Sequence, residues 1–96
     1  MSQLISIIIP AFEESSRLGD SIRRILSYVE KENLNAELIV VDDGSKDNTT
    51  EIAKKVCAEF PELQTKVIRY EQNRGKGFAV KTGLLEAQGK VAIFSD

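Results

Sequence analysis

Apolar residues along this chain fall into two alternating rhythms, short continuous runs and longer stretches at helical spacing. Residues 4–9 form an apolar run broken only by Ser6, and Pro10 follows; a residue without an N–H cannot extend a ladder, so a first buried strand is expected to end there. After a polar loop over 11–16, Leu18, Ile22, Ile25, Leu26 and Val29 recur on one helical face, which predicts a helix over 18–32. A second strand is expected over 37–41, and its apolar run stops at Asp42-Asp43-Gly44. β-Branched residues bounded by turn formers read as a strand buried on both faces. Asn48 and Glu51 resemble a capping box, and Ile52, Ala53, Val56, Cys57 and Phe60 mark a second helix that Pro61 stops. Residues 66–70 alternate weakly, as a less buried strand near an edge would. Ala79, Val80, Gly83, Leu84 and Ala87 give a third helix, with Gly89 expected as its left-handed cap. Residues 91–94 read as a fourth strand.

The resulting order is β-α-β-α-β-α-β, with connections long enough for right-handed parallel crossovers. The expected fold class is therefore α/β, a Rossmann-like parallel sheet covered by helices. In such sheets the loops leaving the carboxyl ends of the strands share one rim and surround the ligand crevice. Here those loops are residues 10–17, 42–48 and 71–77, with Asp96 opening a fourth.

Composition narrows the chemistry. Ninety-six residues suit one domain, and 13 basic against 15 acidic residues give a net charge of −2, which excludes a general electrostatic affinity for nucleic acid. One cysteine and no histidine exclude an internal disulfide, Cys/His zinc sites and Ser-His or Cys-His catalytic pairs. Cys57 is expected in the core by its spacing to Ala53 and Phe60, and a reducing cytoplasmic setting fits. Neither a targeting segment nor a membrane-length apolar run is present. A sequence that stops just past an apolar strand reads as the first half of a larger sheet, whose fourth strand would offer an edge for self-association.

Chemistry-bearing residues gather on the rim. Asn73-Arg74-Gly75-Lys76-Gly77 puts cations and backbone amides beside a helix start, a setting for a phosphate or diphosphate. Asp42, Asp43 and Asp96 supply hard oxygens of the kind that hold Mg²⁺ or Mn²⁺. Plainer readings stand beside these. The acid pair is also compatible with a simple turn capped by Asp47 or Asn48, the glycines with a tight loop, and Glu13 and Glu14 with solvated loop acids.

Ile7-Ile8-Ile9-Pro10-Ala11-Phe12-Glu13-Glu14, Val40-Val41-Asp42-Asp43-Gly44-Ser45-Lys46-Asp47-Asn48-Thr49, Asn73-Arg74-Gly75-Lys76-Gly77-Phe78-Ala79 and Phe94-Ser95-Asp96, in that order, resemble the successive signatures of family 2 glycosyltransferases of the GT-A type. Within that family the third segment is most similar to dolichyl- or polyprenyl-phosphate glucosyltransferases. The resemblance implies that residues 1–96 are the nucleotide-sugar-binding amino-terminal half of a catalytic domain. It implies transfer of glucose from UDP-glucose to a lipid phosphate or glycan acceptor by an inverting, metal-dependent mechanism. Pro10, Ala11 and Glu13 would line the nucleotide pocket, Asp42 and Asp43 would face the base, and Arg74 and Lys76 would lie near the diphosphate. Asp96 would be the first acid of the family's Asp-x-Asp motif, the site of Mg²⁺ or Mn²⁺; its second acid and any catalytic base would lie downstream. The whole protein would work at or anchored to the cytoplasmic face of a membrane, and this portion alone would not turn over. Three other readings share the architecture. A dinucleotide-binding domain lacks support because residues 10–14 contain no glycine. A phosphoacceptor receiver domain would place its acid pair after the first strand, not the second. A nucleotide-binding unit without activity is the third.

Overall fold

The computed structural model describes residues 3–94. It contains β1 (Ile5–Ala11), α1 (Leu18–Lys31), β2 (Ala36–Asp42), α2 (Thr49–Cys57), β3 (Gln64–Arg69), α3 (Lys76–Glu86) and β4 (Lys90–Ile93). The four strands form one sheet in the order β3-β2-β1-β4, with every pairing parallel. The chain thus steps outward from β1 to β3 and then crosses back to lay β4 on the other side of β1. That reversal is the topological switch point at which open α/β sheets bind ligands.

Period-2 alternation divides the core between the two faces. Leu38 and Val40 of β2 point with Ile9 towards α1 and α2, meeting Leu18, Ile22, Leu26, Ala53, Val56 and Cys57. Ile39 and Val41 point the other way with Ile8, onto Ala79 of α3. Burial on both faces accounts for the unbroken apolar runs of β1 and β2. The edge strands are poorer: β3 is half-buried and all four residues of β4 are exposed. Cys57 is buried, as its spacing predicts.

Two glycines of the third βαβ unit are fixed by close approach. A Cβ on Gly83 would lie 2.6 Å from Ile8 Cγ2, and one on Gly89 would lie 2.3 Å from the Leu4 carbonyl oxygen. Gly89 therefore does not serve as the expected left-handed helix cap. α3 ends at Ala87 in an extended conformation, and positive φ among the glycines belongs to Gly44 and Gly75. Gly89 is small because β4 enters the sheet against Leu4, whose carbonyl accepts from Lys90 N at 2.9 Å.

Pro10 departs from expectation in an instructive way. β1 runs through it to Ala11, and its register with β2 continues to Ala11 opposite Asp42. Alternate residues of a strand direct their backbone groups to opposite neighbours. Ile5 N bonds towards β2 and Ile8 O accepts from Phe94 N of the β4 segment, so Pro10, two residues on from Ile8, turns its missing N–H towards β4. The proline ends that ladder alone, at Ile8 opposite Ile93, and leaves pairing with β2 intact. Among the described residues no helix is long and apolar enough to cross a membrane.

Candidate functional site

Both adjacent aspartates at the end of β2 are buried, and they face different partners. Asp42 accepts from Ser45 N at 3.0 Å and from the Thr50 hydroxyl at 2.5 Å, tying the turn to the first residues of α2. Asp43 is engaged on the opposite side. Its Oδ1 accepts from the Tyr70 hydroxyl at 2.6 Å and Arg74 N at 2.8 Å; its Oδ2 accepts from Asn73 Nδ2 at 3.0 Å and Gly75 N at 2.9 Å. Burial raises the Tyr70 phenol well above its ordinary pKa, and the bond to Asp43 raises it further. Between the acids and Ser45 sits Gly44 at φ +75°, where a Cβ would lie 2.7 Å from the backbone of both Gln72 and Asn73.

The start of α2 differs from the expected capping box. Asn48 makes no side-chain cap bond; Asp47 accepts from Thr49 N at 3.0 Å and also from the Thr49 hydroxyl. The Thr49 hydroxyl is the main reason the Asp47 carboxyl is held below its ordinary pKa. The hydroxyls of Ser45 and Thr49 receive the first loop. Glu13 N donates to Ser45 Oγ at 2.7 Å and Glu14 N to Thr49 Oγ1 at 3.1 Å, while Asp43 N donates to Ala11 O at 2.8 Å. Glu13 adopts φ +50°, a left-handed conformation unusual for a residue with a side chain.

The three loops enclose a crevice of about 300 Å³ at the switch point. Of the residues singled out from sequence, Pro10, Ala11, Asp43 and Lys76 line it. Asp42 is turned into the α2 junction, and the exposed Glu13 does not line the crevice. The Arg74 guanidinium lies over the Phe78 ring, 5.2 Å from its centroid, at the exposed edge of the site. Phe78 in turn meets Tyr70 edge-on at 5.2 Å. Asp96 lies outside the described residues. Phe12, Glu14, Asn73, Gly75 and Phe94 also line the crevice. All five belong to the segments already singled out, so the segments were legible but the individual roles were not. Tyr70 has no such signal, since it follows a weakly patterned edge strand. Among the described residues no group of three or more acids or cysteines is placed to hold a metal ion. The lone pairs of Asp43 are taken by protein donors, so these residues do not by themselves fit a divalent cation.

The arrangement matches a known family. The model of glycosyl transferase family 2 covers residues 6–96. The chain belongs to glycosyltransferase family 2. Membership replaces the receiver and dinucleotide alternatives. The family 2 chain is 40% identical over 96 residues to dolichyl-phosphate beta-glucosyltransferase of Saccharomyces cerevisiae, and 36% identical over 97 residues to the Homo sapiens protein of that name. These alignments take in 96% of this chain but 29% and 30% of the relatives, so it spans under a third of their length. Among solved structures, the mannosyltransferase PcManGT from Pyrobaculum calidifontis, in complex with GDP-Man and Mn²⁺, superposes with a TM-score of 0.81 at 24% identity, over 99% of this chain and 28% of that one. TarS 1-349 of S. aureus, in complex with UDP-GlcNAc, gives a TM-score of 0.76 at 28% identity, over 95% and 26%. The family 2 chain thus has the α/β parallel sheet of its GT-A neighbours.

Proposed function

We propose that this chain is the donor-binding portion of a glycosyltransferase that moves a sugar, glucose in the first instance, from UDP-glucose to a lipid phosphate. The observation that carries the reading is the single crevice that joins the β1 end, the Asp43 turn and the amino end of α3. At about 300 Å³ it is at the lower end of the size range of small-molecule sites. Pro10, Ala11, Glu13, Asp42 and Asp43 form or support its nucleoside side. Arg74, Lys76 and the positive end of the α3 dipole form its diphosphate side. A lipid-phosphate oxygen is already anionic, so its attack on the anomeric carbon needs less help from a general base than a sugar hydroxyl would. Displacement of the nucleoside diphosphate from the opposite face inverts that carbon. Mg²⁺ or Mn²⁺, with Asp96 among its ligands, belongs to the proposal as a neutraliser of diphosphate charge. The whole protein would act at the cytoplasmic face of a membrane.

Titration calorimetry with UDP, UDP-glucose and GDP-mannose, each with and without Mn²⁺, tests this. Binding of the uridine ligands ahead of GDP-mannose is the expected result. No heat with any of them would overturn the reading.

The outer edge of β4 is the second element of the proposal. Val91, Ile93 and Phe94 are exposed beside it, and no strand pairs with that edge among the described residues. Parallel or antiparallel addition there would let two copies associate. Light scattering should show apparent mass rising with concentration, and a concentration-independent monomer would refute it.

A further inference from the structure

Ser6 is the one polar break in the apolar run of β1, and it is fully buried. A hydroxyl taken out of water is costly unless it is bonded. This one is bonded twice. It donates to Glu37 Oε2 at 2.6 Å, across the ladder that pairs the two residues, and accepts from Gly89 N at 2.8 Å. Glu37 Oε2 also accepts from Gln88 N at 2.8 Å. Side chains of β1 and β2 therefore hold two successive backbone amides of the α3–β4 connection, at the end of the sheet remote from the crevice.

β4 needs such a hold. Register is fixed strongly where a strand buries one face and weakly where it does not, and all four residues of β4 are exposed. A slip of two positions along β1 would keep every β4 side chain on its own face, so the apolar pattern does not forbid one. Gln88 and Gly89 immediately precede β4, and holding their amides decides that Lys90 lies opposite Ile5 and Ile93 opposite Ile8. That register in turn brings Phe94, whose N–H donates to Ile8 O at 2.9 Å, to the crevice wall. We propose that Ser6 and Glu37 are positioning residues: a polar clamp at the amino end of the sheet sets the register of β4, and thereby the place of Phe94 in the crevice at the other end. The clamp stands without the nucleotide-binding reading above; only its effect on a ligand rests on that reading.

The test is Glu37→Ala, set beside Glu37→Gln, whose amide oxygen can still accept both bonds. Without ligand, the alanine variant should speed hydrogen exchange at the Gln88, Lys90 and Phe94 amides about tenfold or more, the effect of losing bonds to a charged acceptor. Ladder amides between β1 and β2 should keep their native rates, and the glutamine variant should restore most of the protection. Interstrand nuclear Overhauser contacts between Ile8 and Ile93 should weaken or move by two positions in the alanine variant. Unchanged exchange at Lys90 and Phe94 would overturn the proposal. So would equal acceleration throughout the β1–β2 ladder, which marks a general loss of stability. Ser6→Ala removes the bridging hydroxyl and leaves the carboxylate on Gln88 N, covering the case in which the alanine variant at position 37 does not fold. Its acceleration should centre on Gly89 and β4, and an unchanged Gly89 rate would count against the clamp. UDP should bind Glu37→Ala more weakly than the native chain, although Glu37 does not line the crevice. Equal binding would refute the link to Phe94. A native chain that bound no UDP would end the nucleotide reading, while the exchange rates would still decide what Ser6 and Glu37 do.

Discussion

Gly44→Ala should be strongly damaging for a single-methyl change, removing ligand binding and a large part of the folding stability together. Two costs coincide at this position. The φ of +75° is strained for any residue with a Cβ, which costs about 1–3 kcal/mol. The new methyl would also lie 2.7 Å from Asn73 N and from the Gln72 carbonyl carbon, and 3.0 Å from the Glu71 carbonyl oxygen. Those are backbone atoms, so relief requires moving loop 71–75 bodily rather than rotating a side chain. That loop holds three of the four donors to Asp43, and displacing it opens them. A total of about 3–4 kcal/mol is expected, near the upper end for point substitutions. For a domain whose whole stability is on the order of 5–15 kcal/mol, this is a substantial share. Urea unfolding followed by circular dichroism measures it. Gly77→Ala is the matched control: it lies in α3, nothing lies within 4 Å of its Cβ position, and alanine there should be neutral or stabilising by up to about 1 kcal/mol. Equal losses in the two variants would refute the argument.

The second large effect is expected where α3 lies on the sheet. Ile8 is fully buried, and truncation to alanine should cost about 2–5 kcal/mol through lost burial and a residual cavity. Gly83→Ala should cost about 1–3 kcal/mol by the opposite route, because its methyl would meet Ile8 Cγ2 at 2.6 Å and the Ile8 Cδ1 and Cγ1 atoms at 3.2 and 3.3 Å. Every atom the new methyl strikes is one that Ile8→Ala deletes. The double variant should therefore be more stable than the two single losses predict, by about 0.5–3 kcal/mol of coupling. Strict additivity across the cycle would show that α3 shifts away from the sheet instead of colliding with it.

These effects explain why parts of the fold were legible in the sequence and others were not. The strands and helices declare themselves because burial on both faces of β1 and β2 demands unbroken apolar runs, and because Leu18, Ile22, Leu26 and Val29 must share one face of α1. What periodicity cannot express is which atom a backbone group meets. Gly89 looked like a helix cap because glycine after an apolar helix usually is one; its role is set by Leu4, 85 positions earlier in the chain. Asn48 looked like the cap because it stands three residues before Glu51, but the shorter Asp47-to-Thr49 geometry takes the amide. The acid pair read as a single feature. Successive residues of a strand point to opposite sides, so its two members were bound to acquire different partners, and the sequence offered no way to name them. Loop 71–77 was identified by its glycines and cations, whereas the tyrosine that completes its anchorage sits at the end of a strand whose pattern is faint.

Pro10 carries one more consequence. It has no amide hydrogen to donate towards β4, and among the described residues the ladder between the two strands ends at Ile8 opposite Ile93, just before Phe94 and Pro10 come to border the crevice. The crevice thus begins where that pairing stops, and a group lying against Pro10 competes with no backbone donor of that residue.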